Sequence, residues 1–297
     1  MSPNTGFIFY NELYRNYTNE DWKEILTKPR DELKNTIDYR TKTHIKKIND
    51  KVINSKIYEI LDYNELNVNC TFELKTTYPG LVLGTGYHHE TGVEDEFKIG
   101  FYFDYTTGMP VIPGSSVKGL IRSAFPGREK LKNDKDTPKD EKARYYKKEK
   151  EEYIREKLGK DDSFDVEALE NEIFEGIKDK NAKKAKDKYL SIYERDIFHD
   201  AVPIKLESDG LFKEDFLLAP HKNNPLKNPI PLKFLKIAPG VTFKFHFDLK
   251  EREEKNRIIT KEEKKNLFIA ILLDFGIGAK TNVGYGQFNA NEVLEEN

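Results

Sequence analysis

The segment PVIPGSSVKGLIRSAF combines hydroxyl groups, cations and a glycine at spacings that suit the binding of an anion. Ser115 or Ser116 can cap the helix that follows, which would leave the first backbone N–H groups at the positive end of the helix dipole. Lys118 and Arg122 lie four residues apart and share one edge of the helix. Gly119 would let a ligand approach the backbone closely. The alternative is a capped amphipathic helix with ordinary surface cations.

A second segment, GIGAKTNVGYGQF, places four glycines within eleven residues around Lys280. Its order of helix, loop and strand excludes a P-loop, and Thr281 stands where a dinucleotide-binding loop needs its third glycine. The carboxyl end of a helix repels anions, so an anion here would be held by backbone N–H groups with Lys280, Thr281 and Asn282. A helix C-cap at Gly276 or Gly278 followed by a tight turn explains the glycines equally well.

Both segments lie among predicted strands and helices. The stretches NVNCTFEL and VTFKFHFDL alternate apolar and polar residues, as half-buried strands do. The stretch TKEEKKNLFIAILLDF predicts a helix with a capping box from Thr260 to Glu263. The order is strand, projecting hairpin, helix, strands, helix, glycine loop and strand. It predicts an α+β domain with helices on one face of an antiparallel sheet, of the ferredoxin-like or RNA-recognition-motif kind.

Two polar regions flank or interrupt this pattern. Residues 1–66 carry apolar residues at helical spacing, which predicts a helical N-terminal extension, with Asn19 as one helix N-cap. Residues 67–297 would then form the main domain. Within it, residues 127–190 are densely charged with both signs mixed. Such a segment favours a solvated helical excursion or a partly disordered insertion over a specific binding arm.

The overall composition is that of an ordinary globular protein, with 297 residues, 37% hydrophobic and 34% charged. The formal net charge of -2 argues against a globally basic nucleic-acid binder, although net charge can hide local patches. No apolar run approaches the roughly 20 residues of a membrane span, and the first residues lack the pattern of a signal peptide. We therefore expect a cytoplasmic protein without membrane contact.

Cysteine and histidine usage gives little sign of metal or redox chemistry. Cys70 is the only cysteine, so no internal disulfide or cysteine-based zinc cluster can form. It alternates with apolar residues in a predicted strand, which favours a buried structural thiol. The histidines show no metal-ligand spacing, and we expect no metal or other cofactor.

The two glycine-containing segments, in this order and with a long insertion between them, resemble the RAMP superfamily of CRISPR ribonucleoproteins. The stretches YPGLVLGTGYHHETG and PIPLKFLKIAPGVTFKF narrow the resemblance to the RAMP subunit at the end of the backbone in type III-B (Cmr) effector complexes. The resemblance covers residues 67–292. It implies an RNA-recognition-motif-like fold and a non-catalytic subunit that binds the 3′ part of the guide crRNA and the guide–target duplex in antiviral defence.

The resemblance also implies which residues contact RNA. A projecting thumb hairpin within residues 84–105, carrying His88 and His89, would insert at a kink between guide and target. Phosphate contacts fix register without reading sequence, as a guide holder requires. The implied partners are crRNA, target RNA and the other RAMP subunits of the Cmr complex, with no small-molecule substrate. The implied RNA-binding residues are Ser115, Ser116, Lys118, Gly119, Arg122, Gly276, Gly278, Lys280, Thr281, Asn282, Gly284, Tyr285 and Gly286.

A ribonuclease of the same superfamily is the competing class. His88 and His89 lie together in a predicted loop, so acid–base cleavage of guide precursor through the 2′-hydroxyl is chemically possible. Adjacent residues on an extended strand point to opposite faces, which disfavours a shared substrate. Asp95 and Asp104 are the nearest acidic candidates for cleavage of target RNA. His199 has acidic neighbours and fits a structural or surface histidine. A structural adaptor without RNA contact is a third class.

Overall fold

A computed structural model of the chain describes residues 4–28, 39–55, 68–83, 96–97, 101–127, 138–207, 210–219, 230–254 and 257–289. These residues form a mixed α+β fold in which helices accompany an antiparallel sheet, as the sequence predicted. The first elements are α1 (Thr5–Tyr10), α2 (Asn19–Thr27), α3 (Tyr39–Ile53), β1 (Cys70–Thr76) and α4 (Gly114–Ser123).

The second half of the chain carries most of the strands. The charged insertion contains α5 (Pro138–Leu158), α6 (Val166–Glu170), a π-helical turn (Asn171–Glu175) and α7 (Ala185–Lys188). The strands that follow are β2 (Ile197–Phe198), β3 (Val202–Leu206), β4 (Phe212–Ala219), β5 (Ile230–Ile237), β6 (Val241–Asp248), β7 (Arg252–Glu254) and β8 (Arg257–Ile259). Next come α8 (Lys261–Phe275), a 3-10 turn (Thr281–Val283) and β9 (Phe288–Asn289).

The main sheet has the strand order β2-β6-β1-β9, and β3 also pairs with β6. All of these pairs are antiparallel. Strand β9 pairs with Lys75 and Thr76 at the end of β1. Strands β4 and β5 form a separate two-stranded ribbon, and β7 and β8 form another. Most of the predicted thumb hairpin lies outside the described residues.

Aromatic packing between β1, β6 and α8 forms the centre of the core. Phe72 of β1 stacks on Phe245 and Phe247 of β6, with ring centroids 5.2 and 5.4 Å apart. Phe268 of α8 covers this face, 5.6 Å from Phe247. Cys70 lies on the same buried face, and desolvation raises the pKa of its thiol to about 11. The predicted structural thiol is confirmed, because a thiol with so high a pKa is a poor nucleophile.

Strand β6 differs from its prediction. The alternation predicted one buried and one exposed face, but Thr242, Lys244 and His246 are buried as well. The second face of β6 is covered by other parts of the chain, including the connection between β2 and β3 at Asp200. Burial lowers the pKa of His246, whose Nδ1 lies 3.4 Å from the carbonyl oxygen of Asp200.

Helix capping follows local sequence in two cases. The predicted capping box of α8 is confirmed: Thr260 accepts from the Glu263 N–H at 3.1 Å, and the Glu263 carboxylate accepts from the Thr260 N–H at 2.8 Å. Helix α2 has the same arrangement, but its N-cap is Thr18 and not Asn19. The Thr18 hydroxyl accepts from the Asp21 N–H, and the Asp21 carboxylate accepts from the Thr18 N–H at 2.8 Å. This reciprocal pair starts the helix one residue earlier than expected.

The charged insertion is helical, as predicted, but its second part is packed into the protein. Ile154 and Leu158 of α5 are buried, and so are Leu169, Ile173 and Phe174 further along the chain. These residues are therefore not a solvated excursion. These apolar residues are few in the sequence, and the charged residues on the exposed side of each helix separate them from one another.

A buried ion cluster ties α8 to the insertion and to the residues before β2. The ammonium of Lys264 donates to the Asp196 carboxylate at 2.7 Å and to the Lys250 carbonyl oxygen at 2.8 Å, and it lies 3.5 Å from Glu172. The second Asp196 oxygen accepts from the Lys250 N–H at 2.7 Å. Lys264, Asp196 and Glu172 are all buried, so removing the charge of Lys264 leaves two buried carboxylates without the cation that compensates them.

The N-terminal helices complete a second part of the core. Ile45, Ile48 and Val52 of α3 are buried, in agreement with the predicted helical spacing. The chain that follows α3 pairs with the start of β4, where the Leu211 N–H donates to the Ser55 carbonyl oxygen at 3.1 Å. The N-terminal helices therefore pack against the β4–β5 ribbon of the same chain.

Replacing Lys264 by methionine should lower the free energy of unfolding by about 3–5 kcal/mol, because two carboxylates would stay buried without their cation. Lys265 is the matched control, since its ammonium lies 3.7 Å from Glu262 in a partly exposed pair. Lys265→Met should cost about 1 kcal/mol or less. Urea denaturation followed by circular dichroism measures both. Equal effects of the two substitutions would contradict the role assigned to Lys264.

Candidate nucleic-acid interface

The N-terminus of α4 differs from the predicted serine cap. The helix begins at Gly114 with Pro113 as its N-cap, and the Gly114 N–H donates to Oδ1 of Asp200 at 2.7 Å. Ser115 and Ser116 lie exposed in the first turn. A carboxylate from the connection between β2 and β3 thus occupies the position where a helix favours negative charge. The predicted anion site at these N–H groups is already partly filled from within the chain.

The two cations of α4 have different surroundings. Arg122 donates to Glu175 of the insertion at 2.6 Å, and its guanidinium lies 5.8 Å from the centre of the Phe174 ring. The Lys118 ammonium lies 5.4 Å from the centre of the Phe198 ring, and no carboxylate among the described residues pairs with it. Partial burial, and then the charge of Arg122, lower the pKa of Lys118. An incoming anion would therefore find Lys118 without a carboxylate partner in this part of the chain, while Arg122 is shared with the insertion.

No contact among the described residues requires a glycine at position 119. A Cβ built at this position meets nothing within 4 Å, and the residue is exposed. Glycine inside a helix costs about 1 kcal/mol relative to alanine. Ser115 and Ser116 lie four and three residues earlier on the same exposed face. The bare backbone at Gly119 is therefore open to close approach by another molecule.

The glycine loop, residues 276–286, is fixed by contacts that exclude side chains. Helix α8 ends at Phe275 with Gly276 (φ +65°) as its C-cap, which confirms the first of the two positions considered for the cap. A Cβ at Gly278 would lie 2.3 Å from the Val82 carbonyl oxygen, and one at Gly286 would lie 1.9 Å from that of Ile277. Both glycines also have positive φ. The glycines thus allow the loop backbone to lie directly against neighbouring backbone.

The tip of the glycine loop points outwards. Lys280 has φ +64°, and it is the one residue other than glycine with positive φ in the described part of the chain. It starts the 3-10 turn, which the Gly284 N–H closes by donating to the Thr281 carbonyl oxygen at 3.0 Å. Asn282 and Val283 are exposed. Left-handed backbone in a residue with a side chain is uncommon and is found preferentially at functional sites.

Tyr285 anchors the glycine loop to the β4–β5 ribbon. Its hydroxyl donates to Oδ2 of Asp215 at 2.7 Å, and Lys236 pairs with the same oxygen at 2.5 Å. Burial raises the pKa of Asp215, but the hydrogen bonds from Lys236 and Tyr285 outweigh this effect and lower it. Burial and the hydrogen bond to Asp215 raise the pKa of Tyr285. The phenol is thus engaged within the chain, by a partner that no local sequence pattern indicates.

The two predicted RNA-binding segments lie on different supports. Helix α4 packs against α8 and β2, whereas the glycine loop packs against residues 80–82 and the β4–β5 ribbon. Within the described residues no hydrogen bond joins them. Helix α8 connects them, because α4 packs on its side and the loop follows its last residue. They are two separate candidate contact points on one scaffold.

The residues considered for catalysis have mixed outcomes. His88, His89 and Asp95 lie outside the described residues. The Asp104 carboxylate accepts from the N–H of residue 107 at 2.7 Å within a tight turn, which is a structural role. His199 lies 3.2 Å from Asp248 at the edge of the sheet. Among the residues the structure describes, no three His, Cys, Asp or Glu side chains converge on a metal position.

None of the helices in this part of the chain has the length and apolar character of a membrane span.

Comparison with known proteins places these features in a family. The RAMP superfamily model matches residues 73–289, and the chain therefore belongs to the RAMP superfamily. The predicted resemblance is confirmed. Within the superfamily, the sequence is 27% identical over 201 residues to the CRISPR system CMR subunit Cmr6 of Saccharolobus solfataricus. That match covers 66% of this chain and 50% of the relative, so the chain spans about half the length of this curated protein.

The chain is also similar to chains of solved structures. One chain of the type III-B Cmr-β complex bound to cognate target RNA is 19% identical, with a TM-score of 0.53, and the match covers 97% of this chain and 85% of that chain. Cmr6 from Pyrococcus furiosus is 20% identical with a TM-score of 0.41, over 74% of this chain and 95% of that chain. The first of these likenesses supports the α+β architecture.

Replacing Gly278 by valine should lower the free energy of unfolding by at least about 1 kcal/mol, because φ is +95° and a Cβ would meet the Val82 carbonyl oxygen. Val283→Ala is the control within the same loop. Val283 is exposed and should change stability by less than about 0.5 kcal/mol. Thermal or urea unfolding measures both variants. A Gly278→Val protein as stable as the control would show that the loop has a different backbone path.

Proposed function

We propose that this protein is a non-catalytic backbone subunit of a type III-B (Cmr) CRISPR effector complex in the cytoplasm. It binds the 3′ part of the guide crRNA, and the guide–target duplex, through phosphate contacts. Membership of the RAMP superfamily and similarity to Cmr6 support this proposal. Its partners are crRNA, target RNA and the other RAMP subunits of the complex.

The observation that carries the proposal is the geometry of the glycine loop. Its backbone is fixed on the inner side by contacts at Gly278 and Gly286, while Lys280 stands at the start of the outward turn. Asn282 adds an exposed amide to the same turn. A cation and polar groups on a preorganised backbone suit a phosphate, and they lose little conformational freedom when it binds.

Helix α4 supplies the second contact point. Lys118 provides the charge, Ser115 and Ser116 provide hydroxyl donors, and Gly119 leaves room for a sugar–phosphate backbone. Arg122 contributes less than its sequence position suggests, because Glu175 already neutralises it. Contacts of this kind hold a strand irrespective of its sequence, which is what a subunit that accepts different guides requires.

Lys280→Ala and Lys118→Ala should each weaken binding of labelled single-stranded RNA and reduce the slope of log K against log salt by about 0.7, since each removes one phosphate contact. Lys148→Ala is the control, because Lys148 is a well-exposed cation of the insertion that pairs with Glu152 at 3.4 Å. Fluorescence anisotropy over a range of salt concentrations measures all of these proteins. Unchanged slopes in folded Lys280 and Lys118 variants would reject the proposed contacts.

The same samples test the non-catalytic part of the proposal. RNA recovered after incubation should run intact on a denaturing gel at each pH and with each divalent metal tried. Cleavage by the wild type that disappears with His88→Ala or His89→Ala would instead identify a ribonuclease.

Gly119→Ala should change the stability of the protein and its RNA affinity in opposite directions. The substitution should raise the free energy of unfolding by up to about 1 kcal/mol, because alanine favours the helix and nothing in the described chain obstructs its methyl group. It should also weaken RNA binding, because the methyl group would occupy the space proposed for the strand. The gain in stability shows that the variant is folded. Unchanged RNA affinity would remove Gly119 from the proposed interface.

A further inference from the structure

Tyr78 presents its ring to solvent from a turn whose backbone is fixed on both sides. The residue is 85% exposed. Before it, the N–H and the hydroxyl of Thr77 both donate to the Gln287 carbonyl oxygen, at 3.0 and 3.2 Å. After it, the Gly80 N–H donates to the Thr77 carbonyl oxygen, and the Gly80 carbonyl oxygen accepts from the Gly286 N–H, both at 2.8 Å. The ring is thus held out on a firmly positioned backbone.

This turn lies directly against the glycine loop. The Pro79 ring is 3.5 Å from the position that a Cβ would take at Gly284. Within the loop, the Tyr285 N–H donates to the Lys280 carbonyl oxygen at 3.3 Å. Lys280 begins the 3-10 turn of the same loop. An aromatic ring and a cation therefore share one local surface.

Exposure alone does not distinguish Tyr78, because single exposed aromatic residues are common on protein surfaces. Tyr193, for example, is 82% exposed in the short 3-10 turn (Ile192–Glu194) that follows the charged insertion. Tyr78 differs in two respects: its backbone is hydrogen-bonded to the glycine loop, and that loop is the proposed phosphate contact. Because this backbone is fixed, only the two side-chain torsions of the tyrosine lose freedom when a flat ligand stacks on the ring.

We infer that Tyr78 stacks on a nucleobase of the RNA strand whose phosphates contact the glycine loop. This inference rests on the proposed function. Stacking on an aromatic ring tolerates every base, because each base has a π face, and it is the usual way in which single-stranded nucleic acids are held without sequence preference. Tyr78 would therefore position one nucleotide of the strand without restricting the guide sequence.

The test compares two labelled RNA oligonucleotides of equal length, one of mixed sequence and one that is abasic at every position. With the full-length chain, Tyr78→Ala should weaken binding of the mixed RNA by about tenfold, within the range of about 1–3 kcal/mol for stacking of one base. It should leave binding of the abasic RNA unchanged. Tyr78→Phe keeps the ring and should bind both RNAs like the wild type. Tyr193→Ala is the matched control for loss of an exposed tyrosine and should change neither affinity.

The outcomes separate this inference from the proposed function. If Lys280→Ala weakens binding of both RNAs while Tyr78→Ala affects neither, base stacking is wrong and the phosphate contact stands. An equal loss for mixed and abasic RNA would mean that Tyr78 shapes the loop and does not stack, which overturns the inference. Loss of a protein subunit from the purified complex, with RNA affinity unchanged, would assign Tyr78 to a protein contact and overturn it as well. If the wild type binds neither RNA, both proposals fail.

Discussion

The ion pairs of the buried Lys264 ammonium are the interactions on which the relative positions of α4 and the glycine loop depend. It joins α8 to Asp196, which directly precedes β2, and to Glu172 of the insertion. Asp200 follows β2, and its carboxylate accepts from the first N–H of α4. The glycine loop follows α8. A buried charge tolerates little displacement from its partners, because any separation leaves it desolvated and uncompensated. The cluster therefore fixes the relative positions of α4, α8 and the insertion.

Local chemistry made part of this structure predictable. The alternation in β1, the capping box of α8 and the C-cap at Gly276 all depend on residues within a few positions of one another, and each is found as expected. The predicted N-caps of α2 and α4 were wrong, for different reasons. In α2 the choice between Thr18 and Asn19 turned on a reciprocal bond to Asp21, which is a local competition between two good caps. In α4 the group that satisfies the first N–H is Asp200, from a distant part of the sequence.

The same limit applies to the candidate site. The sequence identified the cations and glycines of both segments, but it could not show that Arg122 pairs with Glu175 or that Tyr285 is bound by Asp215, since each partner is more than fifty residues away. It also could not show the burial of the insertion, where a few apolar residues are hidden among many charges. The sequence shows which side chains are present, but tertiary packing determines which of them already have partners within the chain.

The glycine loop divides into positions that the fold dictates and positions that it leaves open. At Gly278 and Gly286 any side chain would collide with carbonyl oxygens of the chain itself, whatever the loop binds. Conservation of these glycines among relatives would therefore be evidence about folding and would say nothing about RNA. No such collision restricts the side chains of Lys280 and Asn282. The pattern of substitutions at these two positions would therefore report selection by a ligand.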